Sequence, residues 1–126
     1  MDKRRARLLL VSMIITFVVI RFSLYFSPDS DFDVAGYNVH HLFTGLLLIT
    51  ICGIAVILFG GRTRILDGAV IGFGIGLSLA LDEWVYLIAT DGSNASYLLP
   101  VSFWGGVLMI ALACLYIALL YLFNRR

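Results

Sequence analysis

The chain has 126 residues, of which 61% are hydrophobic and 13% charged, with a mean hydropathy of +1.00. Ordinary soluble domains are about 45–50% apolar and about 25% charged, and so short a chain cannot hide this apolar excess from water. That excludes a soluble monomer, a disordered chain and a nucleic-acid-binding domain; the formal net charge of +1 says little as a total, whereas its distribution is informative.

A membrane helix needs about 20 mainly apolar residues to cross about 30 Å of hydrocarbon. Residues 8–27, 42–60, 65–90 and 98–123 each meet that length. They are apolar on nearly all sides rather than alternating, which favours helices over a transmembrane barrel. The sequence therefore predicts an all-α protein, a four-transmembrane-helix bundle in a single transmembrane domain covering 1–126.

Lys3, Arg4, Arg5 and Arg7 precede the first span. With the apolar run that follows they imitate a signal peptide, but no small-residue cleavage site follows and Arg21 interrupts the run, so a retained signal anchor is expected. In the loop of residues 28–39, Asp29-Ser30-Asp31-Phe32-Asp33 copies the start of a calcium loop. Its sixth position is Val34 and its twelfth is His40, where Gly and Glu are needed, so a solvated acidic loop is expected instead.

His40 and His41, the only histidines, open the second span, and His41, Gly45 and Cys52 fall near one helical face. Arg62 and Arg64 occupy the next loop. The third span carries Gly68, Gly72, Gly76 and Ala80 at spacing four, a face for close helix packing. Glu83 shares the face of Gly72 and Gly76, while Asp82 is turned about 100° away. Asn94-Ala95-Ser96 matches a glycosylation sequon in a very short loop, Gly105 and Gly106 serve the fourth span, and Arg125 and Arg126 follow it. Cys52 and Cys114 sit near mid-span, where small apolar packing is expected.

All the Lys and Arg except Arg21 fall on one side of such a topology, and Asp29, Asp31, Asp33 and Asp91 on the other. This predicts a multi-pass protein of the cell membrane with N- and C-termini cytoplasmic. Tyr25, Phe26, Tyr37, Trp84, Tyr86, Tyr97 and Trp104 are expected at the outer interface, and Tyr121 and Phe123 at the inner.

Ionisable groups at membrane depth are costly and mark candidate sites. Arg21, Asp82 and Glu83 lie about 9–12 Å inside the outer ends of their spans, a layer that His40 and His41 approach from the second span. Neighbouring helical residues point in different directions, so at most one histidine and one carboxylate are expected in direct central contact. His40, His41, Asp82 and Glu83 would suit a divalent metal, Zn, Fe or Mn, supplied by facing helices. The simpler expectation is a structural ion pair of Arg21 with Asp82 or Glu83, with a histidine hydrogen-bonded to the other carboxylate.

His40-His41-x-x-x-Gly45, with Gly72-x-Gly74-x-Gly76 leading to Asp82-Glu83, resembles a family of small four-span prokaryotic integral membrane proteins of unassigned activity. There too a His-His pair opens the second span and an Asp-Glu pair ends a glycine-rich third. The likeness runs over roughly residues 37–97 and implies architecture and a shared polar core of His40, His41, Asp82 and Glu83, not a reaction.

Function is thus expected at a His/carboxylate site near the outer leaflet that binds a divalent metal, with His41 and Glu83 as primary ligands. The competing readings are a small oligomeric proton or cation channel or transporter, and a structural or partner-binding membrane subunit. Expected partners are the lipid bilayer and, in a homo-oligomer, further copies of the chain; nucleic acid is not expected. Whether the chain is an enzyme is left open by its residues.

Overall fold

A computed structural model describes residues 2–27, 33–34, 37–38, 40–59, 61 and 63–123. Four long helices run alternately up and down: α1 (Lys3–Phe26), α2 (His41–Leu58), α3 (Arg64–Ala89) and α5 (Pro100–Phe123), with a single turn, α4 (Asn94–Tyr97), before the last. Each long helix is apolar and long enough to cross a membrane. A two-residue antiparallel ladder joins Asp33–Val34 (β1) to Tyr37–Asn38 (β2), pairing Asp33 with Asn38 and Val34 with Tyr37. The calcium-loop expectation falls mostly on residues 29–32, 35–36 and 39, which lie outside the described residues.

The helix boundaries follow from their caps. Asp2 accepts from the backbone N–H of Arg4 at 3.0 Å and Arg5 at 3.3 Å, so α1 starts five residues before its apolar run. Thr63 accepts from Leu66 N–H at 3.3 Å and starts α3. At the far end of α3 the chain does not pass straight into the last span. Ser93 caps α4, and Pro100 occupies the first position of α5, where its missing N–H costs nothing. The fourth long helix therefore begins at Pro100 rather than at residue 98.

α3 is the central element and packs against α1, α2 and α5. Its contact with α2 is backbone to backbone. A Cβ on Gly45 would lie 2.6 Å from the Gly76 carbonyl oxygen, and one on Gly76 would lie 2.6 Å from the Gly45 oxygen. Further along the same seam Gly72 receives the Cys52 side chain. Gly72, Gly76 and Ala80 thus form the expected close-packing face with α2, but Gly68 meets nothing within 4 Å and is not part of it. Met13, Ile110 and Ile117 form an apolar layer between α1 and α5, supported by Leu77 and Leu81 of α3. Large apolar residues such as Ile15, Ile57 and Leu115 cover the outside, where a bilayer rather than water would be their natural solvent.

The interfacial-aromatic expectation divides. Tyr25, Trp84 and Trp104 are exposed, whereas Tyr86 and Tyr97 are buried at 1% and 6% and belong to the interior. The bundle has two distinct ends. Lys3 to Arg7 and Arg64 mark the basic end; His40, His41 and the C-terminal half of α3 mark the histidine end.

Candidate functional site

The histidine end holds a buried network contributed by all four long helices and by α4. Asp82 and Glu83 sit inside it at 0% and 2% exposure. Arg21 of α1 donates from Nε to Asp82 Oδ1 at 2.6 Å. Its Nη1 donates to Ser102 Oγ at 3.2 Å, and its Nη2 to the Ser102 carbonyl at 3.0 Å. The guanidinium also lies 4.2 Å from the Tyr97 ring centroid. Every face of this cation is thus engaged, as its removal from water requires.

The other oxygen of Asp82 accepts from the Tyr97 hydroxyl and lies 3.1 Å from His41 Nε2. Burial, followed by the neighbouring Asp82 charge, pushes the Tyr97 phenol far above its ordinary value, so the hydroxyl keeps its proton and donates. The ring is held edge-on between His41, at a 5.6 Å centroid separation, and Tyr86, at 5.2 Å. Gly106 of α5 leaves the space these groups fill: a Cβ there would come within 2.7 Å of Asp82 Oδ1 and 3.0 Å of Arg21 Nη2.

Glu83 serves the start of α2. Its Oε2 accepts the Leu42 backbone N–H at 2.7 Å. The first N–H groups of a helix have no internal partner, and His40, at the cap position, makes no side-chain capping bond. A carboxylate from α3 therefore does the capping, and the positive end of the helix dipole favours its charge. The second oxygen, Oε1, lies 3.3 Å from His40 Nδ1 and 3.2 Å from His41 Nδ1.

Both histidines and both carboxylates thus take part, His40 meeting Glu83 and His41 meeting both acids, where only one of each was expected in direct contact. Two features account for the difference. His40 precedes the helix, with φ −54° and ψ 140°, and is released from the 100° spacing that binds helical neighbours. His41 uses both ring nitrogens, one toward each acid. The shared face of His41, Gly45 and Cys52 is realised: Cys52 meets Gly72, Gly45 meets Gly76, and His41 meets Glu83 along one seam.

The metal expectation gains no support from this geometry. Among the described residues no group of three or more His, Cys, Asp or Glu is arranged to hold a metal ion. The carboxylate oxygens already accept from Arg21, Tyr97 and the Leu42 N–H, so a metal would have to displace bonds that the fold supplies. Of the two ion-pair partners considered for Arg21, the structure places Asp82 in contact with it. Tyr97, Ser102 and the Leu42 N–H were not foreseen as members of the site. The turn signal Asp91-Gly92-Ser93 and the cap at Ser93 were visible, but they do not say that the next turn folds inward.

Comparisons with protein families, curated proteins and solved structures find no match for this chain. The class that fold and site define is therefore a four-helix protein compatible with a membrane, with a buried Arg/carboxylate/His network at one end.

Proposed function

We propose that this chain is a multi-pass cell-membrane protein, with both termini cytoplasmic, whose working centre is a His/carboxylate site in the outer leaflet that locks the start of α2 onto α3. The observation that carries this reading is the seat of the His41 ring, with Nε2 3.1 Å from Asp82 and Nδ1 3.2 Å from Glu83. Two enclosed carboxylates face one guanidinium, and the two imidazoles complete their surroundings. A carboxylate only accepts, so Asp82 takes a bond from His41 Nε2 while Glu83 takes the Leu42 N–H.

These contacts hold the start of α2 on α3, and removing an imidazole leaves a buried carboxylate with one partner fewer and loosens that corner. The charged and titratable groups around the ring are Arg21 from α1, His40 ahead of α2, Asp82 and Glu83 from α3, and Tyr97 from α4. The His40 and His41 side chains are 23% and 18% exposed against 3% and 0% for the acids, so the imidazoles form the outer part of the site. A pore through one chain is disfavoured by the Met13, Ile110 and Ile117 layer beside the site. The hydroxyls of Ser12 and Ser78 nearby are bonded to the Leu9 and Met13 carbonyls. Lys3, Arg4, Arg5 and Arg7 at the opposite end support the assigned orientation.

The test is amide hydrogen exchange of the full chain in bilayers. The expected result is slow exchange in the first two turns of α2 in the wild type, where Glu83 accepts the Leu42 N–H. Exchange there should accelerate in Glu83→Leu, which removes that cap, and in His41→Ala, which removes the imidazole from both acids. Unchanged exchange in both variants overturns the proposal.

A further inference from the structure

The first two turns of α1 carry four cations: Lys3, Arg4, Arg5 and Arg7. Two are engaged within the protein. Arg4 lies 2.8 Å from Asp67, and Arg5 donates to the Gly61 carbonyl beside Asp2 and Asp67. Lys3 and Arg7 stand one turn apart on a common face. Among the described residues neither has an ion pair or hydrogen bond, and the Lys3 ammonium has only the Tyr121 ring, 5.5 Å from its centroid. Between α1 and α5, beneath these two cations, opens a groove of about 590 Å³ with walls of Ala6, Leu10 and Ala118. Its size falls within the about 300–1,000 Å³ of small-ligand sites.

We propose that this groove binds an anionic phospholipid, its acyl chain lying along Ala6, Leu10 and Ala118 and its phosphate held by Lys3 and Arg7. Charge selects the occupant. An apolar trough alone would accept any acyl chain, but two unpaired cations at its mouth favour a headgroup of net negative charge over a zwitterionic one, whose phosphate is already offset by its own ammonium. Basic clefts between membrane helices are suited to acidic headgroups for this reason. The cations that could compete, Arg4 and Arg5, are turned toward Asp67 and Asp2 instead. This site is at the opposite end from His41 and does not depend on the reading given to that residue.

The test is native mass spectrometry of the purified full chain titrated with phosphatidylglycerol or phosphatidylcholine of identical acyl chains. The wild type should retain phosphatidylglycerol preferentially. At roughly fivefold per surface cation, Lys3→Gln combined with Arg7→Gln should cut that retention on the order of 25-fold. Arg4→Gln, an equal loss of charge per site at an exposed position, should change it by no more than about twofold. Ala118→Trp, which fills the groove and leaves every charge in place, should also lower retention. Equal retention of the two lipids overturns the proposal, as does equal loss in Arg4→Gln and in the double variant. Glycerol phosphate binding as tightly as the whole lipid would make the site one for free phosphate and overturn it as well.

Discussion

At the histidine end Arg21 is enclosed, and its nitrogens are divided among Asp82, Ser102 and the Tyr97 carbonyl. At the basic end Arg4 leans across to Asp67 with 65% of its side chain exposed, while Lys3 and Arg7 hold no protein anion at all among the described residues. The same chemistry has opposite consequences in the two places. A guanidinium removed from water must find its whole complement of partners inside the protein, because an unpaired buried charge costs several kcal/mol. A guanidinium at a helix end keeps water and headgroups within reach and can remain unpaired. One end is therefore defined by internal satisfaction, the other by charge left over for the surroundings.

Removing the cation at each end sharpens this contrast. Arg21→Met leaves Asp82 buried without its countercharge and should destabilise the bundle by about 3–5 kcal/mol, read from denaturant unfolding in detergent. Combining it with Asp82→Leu should recover much of that loss, because no lone charge then remains; a double variant no more stable than Arg21→Met would mean that the two groups act separately.

An intermediate effect is expected at Tyr97. Tyr97→Phe removes a buried donor to Asp82 and should cost about 1–3 kcal/mol. It should also change the alkaline limb of stability. Because burial raises the Tyr97 phenol above its unfolded value, its contribution is present in full below about pH 10 and declines as pH rises from there toward the folded value. Melting temperatures of Tyr97→Phe should therefore fall less steeply than wild type above that pH. Parallel curves would show that another group governs alkaline unfolding.

The smallest effect is expected from Arg4→Gln. Its partner Asp67 is near the surface, and exposed pairs contribute about 0–1 kcal/mol. The same unfolding assay should place this variant within that margin of wild type. A loss approaching that of Arg21→Met would mean that the basic end is as enclosed as the histidine end, and the contrast would fail.

Much of the architecture was legible in the residues because a bilayer imposes its length scale directly on the sequence. The four apolar runs, the small-residue face of α3 and the common face of His41, Gly45 and Cys52 all follow from helical periodicity. The layer shared by Arg21, Asp82 and Glu83 was legible by counting from helix ends. Tyr97 was not, since an aromatic residue near a span boundary reads as an interfacial anchor, and only the turn of α4 reverses it into the core. Gly68 misled for a related reason: its spacing matches Gly72 and Gly76, but a Cβ there would meet nothing within 4 Å.

The sequence alone determined how many long apolar helices there are, which stripes of them are small, and which few residues carry charge at depth. Those are properties of one helix at a time, fixed by composition and a 3.6-residue period. Pairing was decided by the tertiary structure: that Arg21 takes Asp82, that Glu83 caps α2, and that one imidazole spans both acids. Such pairings depend on the relative height and rotation of separate helices, and those are set by the Gly45–Gly76 contact and by the loops, not by any single stretch of chain.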